Sequence, residues 1–153
     1  MKSIKGLVIL GVLMVAAVPA FAQSATANIS LNAAVVTMCE VEAGSVLFAD
    51  YDTFAVGATA GTGTFRVRCT KDAPLVTVGL GDGLNADRTM TNGTDFLAYS
   101  LLDGAAAWTD AAAKSVTFAN RGWQTLTITG SLAAAQDVSE GAYTDTVVAT
   151  INF

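Results

Sequence analysis

The residues able to do chemistry in this 153-residue chain are few, and they bound what it can do. There is no histidine, and the two cysteines are Cys39 and Cys69. General acid–base and nucleophilic catalysis at neutral pH rely heavily on histidine, and zinc or copper sites draw on imidazole and thiolate. In an exported chain the cysteines read as one disulfide, Cys39 to Cys69, which leaves no soft ligand; two free thiols is the reading for a chain kept in the cytosol. Asp50 and Asp52 alternate as an acid pair could, but they sit in an acidic, aromatic turn and match no recognisable carboxylate spacing. The Asp/Asn/Gly-rich stretch 81–87 lacks the glutamate at position twelve that completes a calcium loop. Trp108 and Tyr51 are the aromatics a weak sugar site would use, against the plainer reading of a loop tryptophan folded onto a sheet edge. The expectation is a protein with no catalytic residue, no cofactor and no metal.

Charge narrows the partners. The chain carries a formal −5, and from residue 23 onward, without Lys2 and Lys5, it carries −7. No lysine or arginine cluster is present to neutralise phosphates, so neither nucleic acid nor an anionic membrane surface is expected. Arg66 and Arg68 alternate on what reads as one exposed strand face. Residues 1–22 read as a signal peptide: Lys2 and Lys5 form the positive start, 6–18 the apolar run, and Ala20-Phe21-Ala22 the cleavage site. No later stretch reaches the roughly 20 apolar residues of a spanning helix, so membrane insertion is not expected. About 130 residues remain, the length of one domain.

The elements that must position these residues are strands. In 24–39, Ala27, Ile29, Leu31, Ala33 and Val35 occupy every second position, with Asn28, Ser30 and Asn32 between them, the period of a strand with one buried face. No hairpin turn links this strand to the next, so it reads either as an ordinary first strand or as one that completes the sheet of another copy. Further strands are expected at 45–52, 64–70, 75–80, 96–103, 124–132 and 141–153, with loops at 56–63 and 81–87 and a loop with one helical turn at 105–113. Asn92-Gly93 suits a type I′ hairpin turn. In the last strand Val147, Ala149, Ile151 and Phe153 share the core face, and nothing follows to pair with it. The pattern predicts an all-β, immunoglobulin-like antiparallel sandwich, lacking a strand and completed by the N-terminal one.

The ordered set Cys39-Glu40-Val41, Leu47-Phe48-Ala49-Asp50-Tyr51, Phe65-Arg66-Val67-Arg68-Cys69-Thr70, Arg88-Thr89-Met90-Thr91-Asn92-Gly93, Leu97-Ala98-Tyr99-Ser100-Leu101, Gln124-Thr125-Leu126-Thr127-Ile128-Thr129-Gly130 and Gly141-Ala142-Tyr143-Thr144-Asp145-Thr146-Val147 resembles the spore coat protein U domain family, which includes the major pilins of archaic chaperone-usher pathways. The resemblance implies a donor strand at 23–36 and an incomplete immunoglobulin-like domain at 37–153. It implies a periplasmic chaperone that lends a strand, an outer-membrane usher that exchanges it for the next subunit's N-terminal strand, and a head-to-tail fibre of copies on the cell surface serving attachment. By that resemblance Ala27, Ile29, Leu31, Ala33 and Val35 fill the groove, and Val147, Ala149, Ile151 and Phe153 edge it. The alternative is a coat or surface protein of the same fold whose N-terminal strand fills its own groove. The chain departs from the family at Ser131-Leu132-Ala133, where a basic residue and a proline are common, and at Thr109 after Trp108.

Overall fold

The computed structural model describes residues 23–153; the expected signal peptide at 1–22 lies outside the described residues. The chain divides between Ala33 and Ala34. In the first unit, residues 23–33 belong to no ladder, and Ile29 and Leu31 are 83% and 89% exposed. The second unit carries the strands β1 (Cys39–Phe48), β2 (Thr59–Cys69), β3 (Thr77–Leu80), β4 (Thr89–Thr91), β5 (Phe96–Asp103), β6 (Ala106–Ala107), β7 (Lys114–Ser115), β8 (Gln124–Leu132) and β9 (Ala149–Asn152).

One sheet runs β1-β2-β8-β5-β4, with β6 also on β5; the other runs β7-β3-β9. Every pairing is antiparallel. Alternation decides what lies between the sheets: Phe65 and Val67 of β2, Leu97, Tyr99 and Leu101 of β5, Leu126, Ile128 and Leu132 of β8, and Val78 and Leu80 of β3 are all buried. The expected phases of the strands at 64–70, 96–103 and 124–132 match this core. Cys39 stands directly opposite Cys69 in the β1–β2 ladder and is bonded to it, with Cα atoms 4.1 Å apart.

Several expectations are corrected. The stretch 59–63, expected as loop, opens β2. Its glycines belong to a strand because β1 crowds it: a side chain at Gly61 would meet the Phe48 ring and one at Gly63 the Ser45 carbonyl. Leu75 is not in β3 but exposed with φ 51° in the turn after Pro74. The β4–β5 hairpin pairs Thr91 with Phe96, so its loop is four residues long and not a type I′ turn. Asn92 Oδ1 closes that loop by accepting from the Thr94 and Asp95 amides at 2.9 and 2.8 Å, and only Gly93 needs a positive φ. The alanine-rich 105–113 forms the short β6 with no helical turn, because Ala106 and Ala107 pair with Asp103 and Leu102. The final strand begins at Ala149; before it, 141–148 has the isolated bridge Thr91–Thr144 and a bond from the Gly81 amide to the Val148 carbonyl at 2.9 Å, and one flank of this segment has no neighbouring strand among the described residues.

Trp108 is the largest fully buried side chain. Its ring lies 5.8 Å from that of Phe65, and its Nε1 donates to the Val78 carbonyl at 2.7 Å, tying the two layers together. That removes it as an exposed sugar-binding aromatic. Val116 and Phe118, whose alternation after β7 the sequence reading passed over, complete this end of the core.

Candidate functional site

The site begins with two sheet edges. β1 is the last strand of one sheet and β9 of the other, and among the described residues neither has a partner on its outer side. An unpaired edge leaves backbone N–H and C=O groups free for another strand. Between these edges lies a cavity of about 560 Å³.

Its walls are mainly apolar, and the β-bulge between Glu42 and Ser45 resets the alternation of β1 so that residues of opposite parity line one cavity. β1 contributes Val41, Val46 and Phe48, and the C-terminal segment contributes Val147 and Ala149. Core residues Phe65, Leu101 and Ile128 form the bottom. The Phe48 ring is seated over two glycines: added Cβ atoms at Gly61 and Gly130 would approach it to 2.5 and 2.6 Å. Glycine at these positions lets a large ring lie flat along the wall.

Glu42, Ser45 and Thr146 also reach this lining, and a hydrogen-bonded polar couple, Tyr99 with Asp145, interrupts it. Tyr99 donates from its hydroxyl to Asp145 Oδ2 at 2.6 Å, and Asp145 Oδ1 accepts from the amides of Leu84 and Thr146 at 2.9 and 2.7 Å. Burial first, and this hydrogen bond second, raise the Tyr99 phenol well above its ordinary range. Behind it the Arg88 guanidinium donates to the carbonyls of Leu80 and Trp108 at 2.6 and 3.0 Å. Asn92 donates to Ser139 Oγ and to the Tyr143 hydroxyl at 3.2 and 3.1 Å, fixing the start of the C-terminal segment from the other side. These bonds hold the far wall in place independently of the β1 side. Sequence reasoning missed Tyr99, Arg88 and Asp145 in this role, because their partners lie 8 to 61 residues away.

Strand direction follows from the ladders. β1 is antiparallel to β2, β2 to β8, β8 to β5, β5 to β4, and β4 to the segment through Thr144 that leads into β9. After five reversals β1 and the C-terminal segment point opposite ways. A strand laid between them is parallel to one and antiparallel to the other.

The residues expected to edge a groove separate into three positions. Val147 and Ala149 line the cavity, Ile151 is half-buried against the core, and Phe153 is 60% exposed beyond the end of β9. Of the residues expected to fill it, Ile29, Leu31 and Val35 are exposed large apolar side chains, and Ala27 and Ala33 are exposed as well. Arg66 and Arg68, on the outer face, pair with Glu42 and Glu40, and their guanidinium groups lie 5.3 and 4.5 Å from the centre of the Trp123 ring. Tyr51 spends its hydroxyl on the fold, donating to the Ala133 carbonyl at 2.8 Å and accepting from the Gln136 amide at 2.9 Å. Asp50 and Asp52 are exposed in the loop after β1, where Asp52 Oδ1 caps the Phe54 amide at 2.8 Å.

Two antiparallel sheets around one core, with the disulfide joining β1 to β2 within one of them, make an all-β immunoglobulin-like sandwich. The chain belongs to the spore coat protein U domain family, whose model matches residues 25–150. It is 32% identical over 164 residues to Protein U of Myxococcus xanthus, covering 92% of this chain and 91% of that one. Its fold is similar to a chain in the crystal structure of the CsuC–CsuE chaperone–tip adhesion subunit pre-assembly complex from archaic chaperone-usher Csu pili of Acinetobacter baumannii. That match has a TM-score of 0.53 and 19% identity over 78% of this chain, and spans 40% of the other chain. Membership of the family makes this a structural, non-enzymatic protein.

Proposed function

We propose that the chain is an exported subunit of a surface pilus that polymerises by donor-strand complementation. Residues 23–36 of one copy enter the cavity between β1 and β9 of the next, with Ala27, Ile29, Leu31, Ala33 and Val35 facing inward. The observation that carries this reading is the pair of unpaired edges flanking an apolar cavity of about 560 Å³.

Length and charge support it. Val41 to Phe48 along β1 is roughly 25 Å at about 3.3 Å per residue, and Ala27 to Val35 is about the same. Residues 23–38 contain no Asp, Glu, Lys or Arg, so their burial strands no charge beside Glu42 or Asp145. Burying Ile29, Leu31 and Val35 contributes roughly 1.5–3 kcal/mol each, to which main-chain bonds on two flanks are added. Head-to-tail addition is heterologous and need not close, so filaments are its natural product.

An open apolar groove also needs cover before assembly. A periplasmic chaperone that lends a strand, and an outer-membrane usher that exchanges it, supply that cover and the route to the cell surface, where the fibre serves attachment. The complex in which the similar fold was solved, a chaperone with a pilus subunit, agrees with this role. Deleting residues 23–35 tests the reading. The truncated chain should fold and bind the chaperone yet form no fibres by electron microscopy; fibres from it would refute the proposal.

A further inference from the structure

The two ends of the sandwich are unlike, and the difference is not used by the groove. At the end where β1 finishes, three loops meet. Tyr51 ties loop 49–58 to Ala133 and Gln136, and the Ser139 amide donates to Asp95 Oδ2 at 2.8 Å, joining 133–140 to the β4–β5 hairpin. These loops contain Asp50, Asp52, Asp95, Asp137 and Glu140 and no lysine or arginine. Loop 49–58 is well fixed, since Asp52 also accepts from the Ala55 amide through its carbonyl at 3.1 Å. Yet it holds Phe54 92% exposed and Val56 fully exposed at its tip.

At the end where β1 begins, the balance tips the other way, with Lys71 and Arg121 against Asp72. Thr70 holds Met38 on both sides: the Met38 amide donates to Thr70 Oγ1 at 3.0 Å, and the Thr70 amide donates to the Met38 carbonyl at 2.8 Å. Met38 and Leu75 are exposed there, as are Lys71 and Arg121, with Asp72 3.8 Å from Lys71.

We propose that the 49–58 loop of one copy docks on the Met38, Lys71, Leu75 and Arg121 surface of the next, a second subunit contact outside the groove. The proposal rests on the head-to-tail reading above, and the occupant it names is a second copy of this chain. Direction makes the contact. A donor strand running parallel to β1 places Val35 at the Phe48 end of its acceptor, and only residues 36–38, about 10 Å of chain, separate it from its own Cys39 end. That brings Lys71 and Arg121 to Asp50 and Asp52, and Met38 and Leu75 to Phe54 and Val56. The opposite direction sets two Cys39 ends together, with Lys71 and Arg121 facing their own kind. Charge complementarity therefore selects the first. An ordered loop carrying two bare apolar side chains gains a partner by it.

The test compares fibres of the full chain for persistence length by electron microscopy, and for the detergent-resistant ladder that reports strand exchange. In Phe54→Ser with Val56→Ser, and separately in Asp50→Lys with Asp52→Lys, the ladder should persist and the persistence length should fall several-fold. Adding Lys71→Asp and Arg121→Asp to the second variant should restore it. Unchanged stiffness in both variants, or no restoration by the double reversal, overturns the end contact and leaves the groove reading standing. Fibres from the chain lacking 23–35 would instead overturn the groove reading, and the end contact with it.

Discussion

Parity along the N-terminal segment offers the sharpest test of how the groove is filled. Ile29 and Leu31 are two positions apart and mostly exposed, so a strand that enters the cavity buries both on the same face. Truncating either to alanine removes three side-chain carbons, about 2.4 kcal/mol of transfer free energy at roughly 0.8 kcal/mol per group. The double variant Ile29→Ala/Leu31→Ala should lose about 5 kcal/mol if the sites act independently, on the order of several thousandfold in the stability of each subunit junction. Asn28 and Ser30 face the other way, and Asn28→Ala/Ser30→Ala should change the junction by less than about 1 kcal/mol. The measurement is subunit release from fibres in graded guanidinium, followed by sedimentation. Equal losses in the two double variants, or no loss in either, would show that this face does not enter the groove.

Three further outcomes concern the sandwich itself. Trp108→Ala removes a fully buried ring and its bond to Val78, and should lower the unfolding free energy by roughly 3–5 kcal/mol in urea titration. Replacing both Cys39 and Cys69 by alanine opens a loop with a sequence separation of 30 and should lower the same quantity by about 3–4 kcal/mol, with the native near-UV spectrum retained in buffer. The folded chain holds the Tyr99 proton more tightly than the unfolded chain, so the stability this contributes is complete below the ordinary phenol value of 10.0 and is lost as pH rises above it. Tyr99→Phe should flatten the alkaline arm of the stability curve from about pH 10 upward, and a curve that still falls as steeply would assign that loss elsewhere.

The parts of the fold legible in the sequence were those where one residue decides one face. Phe65, Val67 and Cys69, Leu97, Tyr99 and Leu101, and Leu126, Ile128 and Leu132 each keep strict alternation, and each run is buried as its period requires. What misled was composition. Gly61 and Gly63 read as loop, although they are strand residues thinned to admit β1 and the Phe48 ring. The alanines at 105–113 read as partly helical, but pairing with β5 outweighs their helical preference. Trp108 reads as a loop residue because nothing beside it in the sequence is apolar enough to mark a core; its partners, Phe65 and Val78, are contributed by other strands. Of the cavity, the sequence marked only the alternation of Val147 and Ala149, which line it. Its polar couple, Tyr99 with Asp145, depends on a contact 46 residues apart that no local pattern encodes.

The opposed directions of β1 and the C-terminal segment have a mechanical consequence for the proposed fibre. A strand seated between them lies lengthwise in its acceptor, and its own domain hangs from its C-terminal end. Tension on the fibre then drags the strand along its axis, so the bonds on both flanks and every seated side chain resist at once, where unzipping would break them singly. In that proposed fibre, the flank left open among the described residues becomes the part of the filament that bears load.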